Sequence, residues 1–232
     1  MAFAVLLTCI PASATVRGLQ QSSASLLPPV VVSPDRLASA TVRIDSRGGG
    51  RFDIGTGVGV GAHVALTNAH LTGGPTTFVT RCDAGVLAVD RIERAGNGVD
   101  LAVVMTTGPD LVSIELAPAD PEPGESITVA GYPGGERTIG SGRIEGTLTR
   151  GGQTVLRFSP EPHPGQSGGP LVDASGRLIG LAYAEDTAGG QGLAIPVSRL
   201  RTELERWRAA GVPVATPAGD PTAAYARTAA CA

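Results

Sequence analysis

The sequence has no lysine, and all 18 of its basic residues are arginines. The formal net charge is −3 at pH 7, and the arginines are scattered along the chain without forming a basic run. Nucleic-acid-binding proteins depend on concentrated positive charge, so nucleic acid is not an expected partner. The absence of lysine also argues against a phosphate-binding P-loop in the glycine-rich stretch 55–61, because that motif requires a lysine.

Long apolar segments are missing as well, except at the N-terminus. The run from Met1 to Ile10 is apolar and is followed by Ala12-Ser13-Ala14, a pattern similar to a signal-peptidase site. The run is too short to cross a bilayer, so we expect no membrane span. Residues 1–14 therefore predict a signal peptide or N-terminal apolar segment, and with it export (secreted, periplasmic or cell envelope). No basic residue precedes the run, which leaves a truncated gene start as the alternative.

Cysteine is scarce, with only three residues in the chain. If Cys9 is removed with the signal peptide, Cys82 and Cys231 remain as an even pair. In an oxidising compartment they could form a disulfide that fastens the C-terminal tail to the domain. Two unpaired thiols are the alternative interpretation.

Charged residues make up only 17% of the chain, whereas 33 residues are glycine, 18 are proline and 42% are hydrophobic. This composition favours short strands and turns over long helices, and it excludes a disordered chain. Short alternating runs fill residues 38–116 and again 124–197, and the proline-rich segment between them cannot be a central strand. The pattern predicts an all-β fold of two packed barrels.

The remaining segments are assigned from composition and periodicity. Residues 15–37, rich in Ser, Pro and Gln, predict a linker. Ser198 is a suitable N-cap for a helix over 198–210, in which apolar residues recur at helical spacing. Residues 211–232 predict a loose C-terminal tail.

The densest glycine signal surrounds one serine, in Gly165-Gln166-Ser167-Gly168-Gly169. Glycine weakens helices and strands, so this segment predicts a tight turn with exposed backbone around the Ser167 hydroxyl. Such a turn suits a nucleophilic serine, because main-chain N–H groups can then stabilise a nearby oxyanion. A plain surface turn is the competing interpretation.

A serine hydroxyl becomes a useful nucleophile only when a base takes its proton, and the chain has only three histidines. His70 follows a strand end and a turn of small residues, from which its ring can project into a cleft. His163 shares the turn of Ser167, and we expect it to line the substrate cleft. His63 heads a strand, and we expect it to be structural.

The imidazole in turn needs a carboxylate that fixes its tautomer. Asp100 precedes the apolar strand 101–104, which keeps its carboxylate beside apolar neighbours. Three other aspartates lie in turns or at strand edges, where we expect them to be solvated: Asp83, Asp90 and Asp110. The ordered set His70, Asp100 and Ser167 then predicts a catalytic triad.

The order of these residues excludes other hydrolase folds. The segment around Ser167 matches the G-x-S-x-G pattern of α/β-hydrolases, but that fold places its histidine after the serine, and no histidine follows His163. A subtilisin-like order would need an aspartate before the histidine in an α/β context, which this strand-rich sequence lacks. Neither the histidines nor the cysteines have zinc-ligand spacing, so we expect no metal and no cofactor.

Three motifs in this order resemble the trypsin/chymotrypsin-like serine proteases in their bacterial HtrA-like form: Thr67-Asn68-Ala69-His70, Asp100 to Val104, and Gly165 to Pro170. The resemblance covers roughly residues 40 to 200. It implies an all-β, chymotrypsin-like fold of two six-stranded antiparallel β-barrels with a C-terminal helix. The implied trypsin-like protease domain spans residues 38–210.

The same resemblance implies a serine endopeptidase that hydrolyses peptide bonds through an acyl-enzyme, with the backbone N–H groups of Gly165 and Ser167 as the oxyanion hole. The expected partners are protein or peptide substrates, and we take a monomer as the default oligomeric state. A protease-fold binding protein that has kept its triad but lost turnover is the alternative.

A further set of residues is expected, by resemblance, to bind the substrate: Glu161, His163, Tyr183, Ala184, Glu185 and Gly192. Glu161 falls where the family places the residue at the floor of the primary specificity pocket. A carboxylate there would favour Arg or Lys in the substrate. The small and apolar neighbours Ala182, Ala184 and Leu193 favour a small aliphatic residue instead, and this is the preference that we expect.

The sequence departs from the digestive trypsins in its activation signals. Gln166 replaces the aspartate that those enzymes pair with a newly cleaved N-terminus, and no Ile-Val-Gly-Gly sequence is present. A neutral amide cannot form that ion pair, so we expect no zymogen activation of this kind. HtrA-like relatives often carry a PDZ domain after the protease. Only about twenty residues follow the predicted helix in this sequence, so we expect no PDZ domain within it.

Overall fold

A computed structural model describes residues 34–48, 50–186 and 190–214 of the chain. The predicted signal peptide, most of the predicted linker and most of the predicted tail lie outside the described residues. Cys231 lies outside them too, so its disulfide with Cys82 stays a prediction. No helix in the described part of the chain is long and apolar enough to cross a membrane.

The first barrel consists of six antiparallel strands, β1 Thr41–Gly48, β2 Arg51–Gly61, β3 Val64–Thr67, β4 Thr76–Arg81, β5 Gly85–Arg94 and β6 Ala102–Thr107. They close in the order β1-β2-β3-β6-β5-β4. Ile44, Val79 and Val104 are among the buried aliphatic residues of its core. The glycines of β2 allow the close approach that the sequence predicts, since a Cβ on Gly55 would lie 2.6 Å from Cδ2 of Leu71.

The second barrel also has six antiparallel strands, β7 Ser126–Gly131, β8 Thr138–Arg150, β9 Gln153–Ser159, β10 Pro170–Val172, β11 Leu178–Asp186 and β12 Gln191–Pro196. They close in the order β10-β11-β12-β9-β8-β7. Ile144, Leu156 and Phe158 are buried in its core. The predicted all-β fold of two six-stranded antiparallel barrels is therefore confirmed.

One continuous apolar cluster joins the two barrels. Val58 and Leu66 come from the first barrel, Leu181 and Ile195 from the second, and Trp207 from the C-terminal helix. All five side chains are buried. Because burial of apolar surface stabilises a fold by about 25 cal/mol per Å², this shared core fixes the barrels relative to each other and so defines the cleft between their edges.

Two helices flank the barrels. Helix α1, Pro34–Ala40, precedes the first barrel, and helix α2, Val197–Ala209, follows the second and confirms the predicted C-terminal helix. Leu37 of α1 is buried, and Arg36 donates to the carbonyl of Ser113 at 2.9 Å. The last residues of the predicted linker thus pack as part of the folded domain.

The prediction that Ser198 caps the C-terminal helix is wrong. Helix α2 begins at Val197 and has Pro196 at its cap position. The N–H and hydroxyl of Ser198 instead donate to the Asp120 carboxylate at 2.8 and 2.6 Å. This carboxylate, from the connection between the barrels, satisfies the helix start and places negative charge at its positive end.

Candidate active site

His70 and Asp100 make a two-point contact on the first barrel. Oδ2 of Asp100 lies 2.6 Å from Nδ1 of His70, and Oδ1 accepts a hydrogen bond from the His70 backbone N–H at 2.9 Å. A carboxylate at Nδ1 favours the tautomer with its proton on that nitrogen and a lone pair on Nε2. The His70 side chain is 48% exposed, so a bound molecule can approach the ring.

The backbone around His70 is fixed by hydrogen bonds and by core packing. The residue lies in a short 3₁₀ helix, Ala69–Thr72. Arg94 of β5 donates to Oγ1 of Thr72 at 2.9 Å and to the carbonyl of the same residue. Leu71 packs into the core of the first barrel. The ring therefore projects from a fixed point at the edge of the barrel.

Asp100 is fixed immediately before β6. Its backbone carbonyl accepts a hydrogen bond from Nδ2 of Asn68 at 2.9 Å. The next residue, Leu101, is fully buried, and its carbonyl accepts from the N–H of Ala95 at 2.8 Å. The Asp100 carboxylate is 28% exposed and stands beside these apolar residues. Asn68 thus links the segment before His70 directly to Asp100.

Ser167 lies in a tight turn between β9 and β10. Gly165 and Gly168 have φ angles of 102° and 81°, which favour glycine because other side chains meet their own backbone there. The N–H of Gln166 donates to the carbonyl of His163 at 2.9 Å. The turn therefore has the shape that its glycine-rich sequence predicts.

Thr56 of β2 fastens the Ser167 turn to the first barrel. Its N–H donates to the Ser167 carbonyl at 2.8 Å, and its Oγ1 donates to the Gly165 carbonyl at 2.7 Å. The same Oγ1 accepts a hydrogen bond from the N–H of Tyr132 at 3.0 Å. Sequence analysis did not select Thr56. The only signal in the sequence is a threonine between two glycines of a predicted strand.

This attachment lies next to the strand that leads to His70. Thr67, the last residue of β3, donates from Oγ1 to the Thr56 carbonyl at 2.6 Å. A Cβ on Gly168 would lie 2.6 Å from the same Oγ1 and closer still to the Thr56 carbonyl oxygen. Gly168 thus packs against Thr67, which lies three residues before His70 in the sequence. The turn of Ser167 therefore packs on the end of β3, the strand that leads to His70.

Two backbone N–H groups of the Ser167 turn have no acceptor in the described part of the chain, those of Gly165 and Ser167. The Gln166 side chain, which lies between them in sequence, accepts the His163 backbone N–H through Oε1 at 2.6 Å. The amide of Gln166 therefore ties its own turn together, a contact that the sequence analysis did not predict. The N–H groups of Gly165 and Ser167 are therefore free to bind another molecule, while the carbonyls of the same two residues accept hydrogen bonds from Thr56.

Two of the predicted substrate-binding residues, Glu161 and His163, are exposed in the segment that leads into the Ser167 turn. A Cβ on Gly190 would lie 3.9 Å from Oε2 of Glu161. Among the described residues, the Glu161 carboxylate forms no ion pair. Both side chains are thus accessible to a molecule in the cleft.

The other predicted pocket residues lie on neighbouring strands of the second barrel. Gly192 of β12 pairs with Glu185 of β11 on one side and with Phe158 of β9 on the other. A Cβ on Gly192 would lie 2.7 Å from Cδ of Pro162, so the strand packs closely on the segment that carries Glu161. Ala184 and Glu185 are placed here by backbone pairing, and their side chains fall outside the described part of the chain.

Tyr183 lies on the side of the cleft that adjoins Asp100. Tyr183, Asp100 and Arg150 all border a small cavity of about 70 Å³. Burial raises the pKa of the Tyr183 phenol above its ordinary value of 10.0, while the Arg150 guanidinium, hydrogen-bonded to it, lowers that pKa. The hairpin after Arg150 also donates from Nε2 of Gln153 to the carbonyl of Asn97 at 2.9 Å. The second barrel thereby contacts the loop that carries Asp100.

His63 and the other aspartates that the sequence analysis considered for the triad lie away from the Ser167 turn. His63 is partly exposed, with Nε2 at 3.3 Å from Oδ1 of Asp110. Asp90 and Asp110 are exposed, as predicted. Asp83 is not solvated as expected, because its largely buried carboxylate accepts from Nε of Arg81 at 2.8 Å. Within the described residues, no group of His, Cys, Asp and Glu is arranged to hold a metal ion.

Comparisons with known proteins agree with the two-barrel fold. A model of the trypsin-like peptidase domain matches residues 55–181. The putative serine protease HhoB of Synechocystis is 32% identical over 152 residues, which are 60% of this chain and 36% of that protein. The Do-like serine protease HtrA of Bacillus subtilis is 26% identical over 174 residues, 65% of this chain and 39% of that protein. The chain thus spans well under half the length of these curated relatives.

A solved structure shares the fold. The active form of the Rv3671c protease from M. tuberculosis superposes with a TM-score of 0.69 at 21% identity, over 77% of this chain and 86% of that chain. At this identity the likeness concerns the two-barrel architecture alone. The family model, in contrast, matches the sequence itself over more than half of the chain, from β2 to β11. This chain therefore belongs to the trypsin-like peptidase family and has HtrA-like serine proteases among its relatives.

Proposed function

We propose that this chain is a serine endopeptidase in which His70, Asp100 and Ser167 form the catalytic triad. The two-point contact between Asp100 and His70 supports this most strongly, because it orients one imidazole beside the attached Ser167 turn. A surface histidine with a merely structural role does not need a carboxylate on both its ring and its backbone. A general base next to a nucleophilic serine does.

The reaction uses these three side chains in sequence. His70 Nε2 takes the hydroxyl proton of Ser167 as Oγ attacks the carbonyl carbon of the scissile bond, and Asp100 stabilises the imidazolium that results. The imidazolium then gives its proton to the leaving amine, the C–N bond breaks, and the acyl group stays on Ser167. Water, deprotonated by the same ring, hydrolyses the ester and restores the enzyme.

The oxyanion is bound by the N–H groups of Gly165 and Ser167. Neither N–H has an acceptor among the described residues, and both belong to a turn held by Thr56 and Gln166. Donors fixed before the reaction stabilise the developing charge without reorganising, and loss of one typically costs about 10²–10³ in rate. The attachment of the turn to the first barrel is therefore part of the proposed machinery.

The enzyme is active without the N-terminal zymogen mechanism. In that mechanism a new N-terminus must order the turn by pairing with an acid, and this chain has Gln166 at that position. Its amide already ties the turn through the 2.6 Å contact with His163. A free N-terminus has no charge to pair with there.

Purified protein without the predicted signal peptide is accordingly expected to cleave peptides with no further proteolytic cut. Mass spectrometry of the active sample before and after the assay checks that the chain is intact, and the Ser167→Ala variant controls for contaminating proteases. Activity that appears only after cleavage to a new N-terminus would contradict the expectation and would point to another acid as its partner.

Small aliphatic residues are the proposed preference before the scissile bond. Leu193 is buried next to Gly192 in β12, Ala182 is buried on the paired strand β11 opposite Ala194, and Glu161 is exposed. A carboxylate that remains in water attracts a substrate cation weakly. The exposed Glu161 is therefore expected to add little selectivity for arginine or lysine before the scissile bond.

A peptide-library digest that compares the wild type with Ser167→Ala tests both the activity and this preference. We expect cleavage mainly after alanine or valine, absent in the serine variant and unchanged by Glu161→Gln. Cleavage after arginine and lysine that Glu161→Gln weakens would show instead that Glu161 is the floor of the pocket. The absence of any difference from Ser167→Ala would refute peptidase activity.

The proposed setting is outside the cytoplasm, with protein or peptide substrates and a monomeric enzyme. The apolar N-terminal run and its cleavage-site pattern support export. The relatives named as serine proteases support a protein substrate. The pair Cys82 and Cys231 would be compatible with an oxidising compartment.

A further inference from the structure

A cavity of about 470 Å³ opens beside His70 on the first barrel. One wall is the β1–β2 hairpin, with Ser46 and Asp53, and the other is the loop after the 3₁₀ helix, which ends in Pro75. Every residue that lines it belongs to the first barrel. The predicted specificity pocket belongs to the second barrel, so the cavity lies apart from it.

The two walls are held close together. The N–H of Gly74 donates to Oγ of Ser46 at 3.2 Å, and a Cβ on Gly74 would lie 2.6 Å from that same oxygen. A Cβ on Gly48 would lie 3.1 Å from Cγ of Pro75 and closer to its Cδ. Glycines at both positions therefore let the loop pack directly on the hairpin. The cavity is a built feature of the barrel rather than a gap between loose loops.

Asp53 gives this cavity a negative charge. It pairs in register with Ser46, so both side chains belong to the same face of the hairpin. The opposite face carries Arg47 and Phe52, whose contact places the guanidinium 4.9 Å from the ring centroid. No described residue forms an ion pair with Asp53, and it is the one acid that lines the cavity. Asp53 is exposed, so its unpaired carboxylate attracts a cation in the cavity with the modest strength of a partly screened ion pair.

The position of the cavity relative to His70 decides which part of a substrate it meets. In the proposed mechanism the imidazolium gives its proton to the leaving amine, so the leaving half of the peptide must lie against the ring. The acyl half extends along the second barrel, towards Glu161 and Gly192. The segment that follows the scissile bond therefore passes the mouth of the cavity that contains Asp53.

We infer that Asp53 is a specificity-determining residue, one that selects arginine or lysine at the first or second position after the scissile bond. The inference rests on the proposed peptidase function of the same site. It is independent of the preference before the bond, which the second barrel sets. The side chain of arginine or lysine fits the chemistry of the cavity, since its apolar stem can pack on the glycine- and proline-lined walls while its charge meets the carboxylate.

The test uses the purified protein described above and quenched fluorescent peptides that are identical except at the first two positions after the bond, where each carries alanine, arginine or glutamate. We expect arginine to raise kcat/KM about fivefold over alanine, the scale of a partly exposed ion pair, and glutamate to lower it. Asp53→Asn is expected to remove the difference. Asp90→Asn, which changes the net charge equally at an exposed position of β5, is expected to preserve it.

A second measurement separates failure of this inference from failure of the proposed function. Fluorescence anisotropy gives the affinity of the labelled peptides for Ser167→Ala protein, in which turnover plays no part. Tighter binding of the arginine peptide, lost in the double variant with Asp53→Asn, supports the inference even if the wild type cleaves nothing. An arginine preference that survives Asp53→Asn, or equal rates and affinities for all three peptides, would overturn it.

Discussion

Ser167→Ala is expected to lower kcat/KM for peptide hydrolysis by roughly 10⁴- to 10⁶-fold, the scale on which triad residues act. His70→Ala is expected to have a similar effect, because without the base the hydroxyl keeps its proton during the attack. The double variant is expected to be hardly slower than either single one, since the two side chains act in the same step. Initial rates on a quenched peptide measure all three.

Two controls show whether the loss is chemical. Circular dichroism should be the same for the variants and the wild type, because Ser167 and His70 are partly exposed. A fluorophosphonate should label the wild type on Ser167 and should not label either variant. His163→Ala, which alters the other histidine close to the serine, should keep most of the activity. If His163→Ala lost the activity while His70→Ala kept it, the proposed base would be wrong. A stably folded wild type that resists the probe would indicate the silent binding protein.

Gly168→Ala is expected to lower both the activity and the stability. The methyl group would lie 2.6 Å from Oγ1 of Thr67 and closer to the Thr56 carbonyl, and the φ of 81° disfavours any side chain. We expect a loss of about 2–4 kcal/mol in the free energy of unfolding, from overpacking and backbone strain together. We also expect a drop of more than about 10² in kcat/KM, because relief of the clash moves Ser167 away from the first barrel.

Gly151→Ala is the matched control for this change. Gly151 also has a positive φ, of 57°, but nothing lies within 4 Å of the position that its Cβ would take. Only the backbone penalty of about 1–2 kcal/mol should remain, with the activity unchanged. Denaturant titration and peptide hydrolysis compare the two variants. Equal losses in both would mean that the contact between Gly168 and the first barrel has no special role.

The fold could be predicted from the sequence because the strands and turns are marked by local sequence patterns. Alternation, glycine and proline mark short strands and turns locally, and these local signals gave two groups of strands with a proline-rich connection between them. The three motifs around His70, Asp100 and Ser167 could be selected because each places an unusual residue at a strand end or in a glycine-rich turn. The structure brings those segments together at one edge.

The residues that the sequence analysis missed make contacts between distant parts of the chain. In the sequence, Thr56 does not differ from other strand threonines. Its role depends on the Gly165 carbonyl of the second barrel, which accepts its hydrogen bond. Ser198 has a good composition for a cap, yet Asp120 supplies the oxygen atoms at the start of the helix. Asp83 was expected to be solvated, and Arg81 nevertheless binds it in a largely buried pair. Such partners depend on the arrangement of the whole fold, which local periodicity does not encode.

The contacts that complete the site differ greatly in the length of chain that they close. The pair of His70 and Asp100 spans 30 residues, whereas the hydrogen bond from Thr56 to Gly165 spans 109. Contacts of low sequence separation form first, since the entropy of loop closure must be offset before distant contacts can form. The N–H of Gly168 also donates to the carbonyl of Ala182, so the Ser167 turn cannot be complete until that strand exists. If the proposed triad is correct, a ribosome-bound chain that has folded only its first barrel holds the proposed base and acid without the proposed nucleophile, and peptidase activity can arise only when the second barrel has closed.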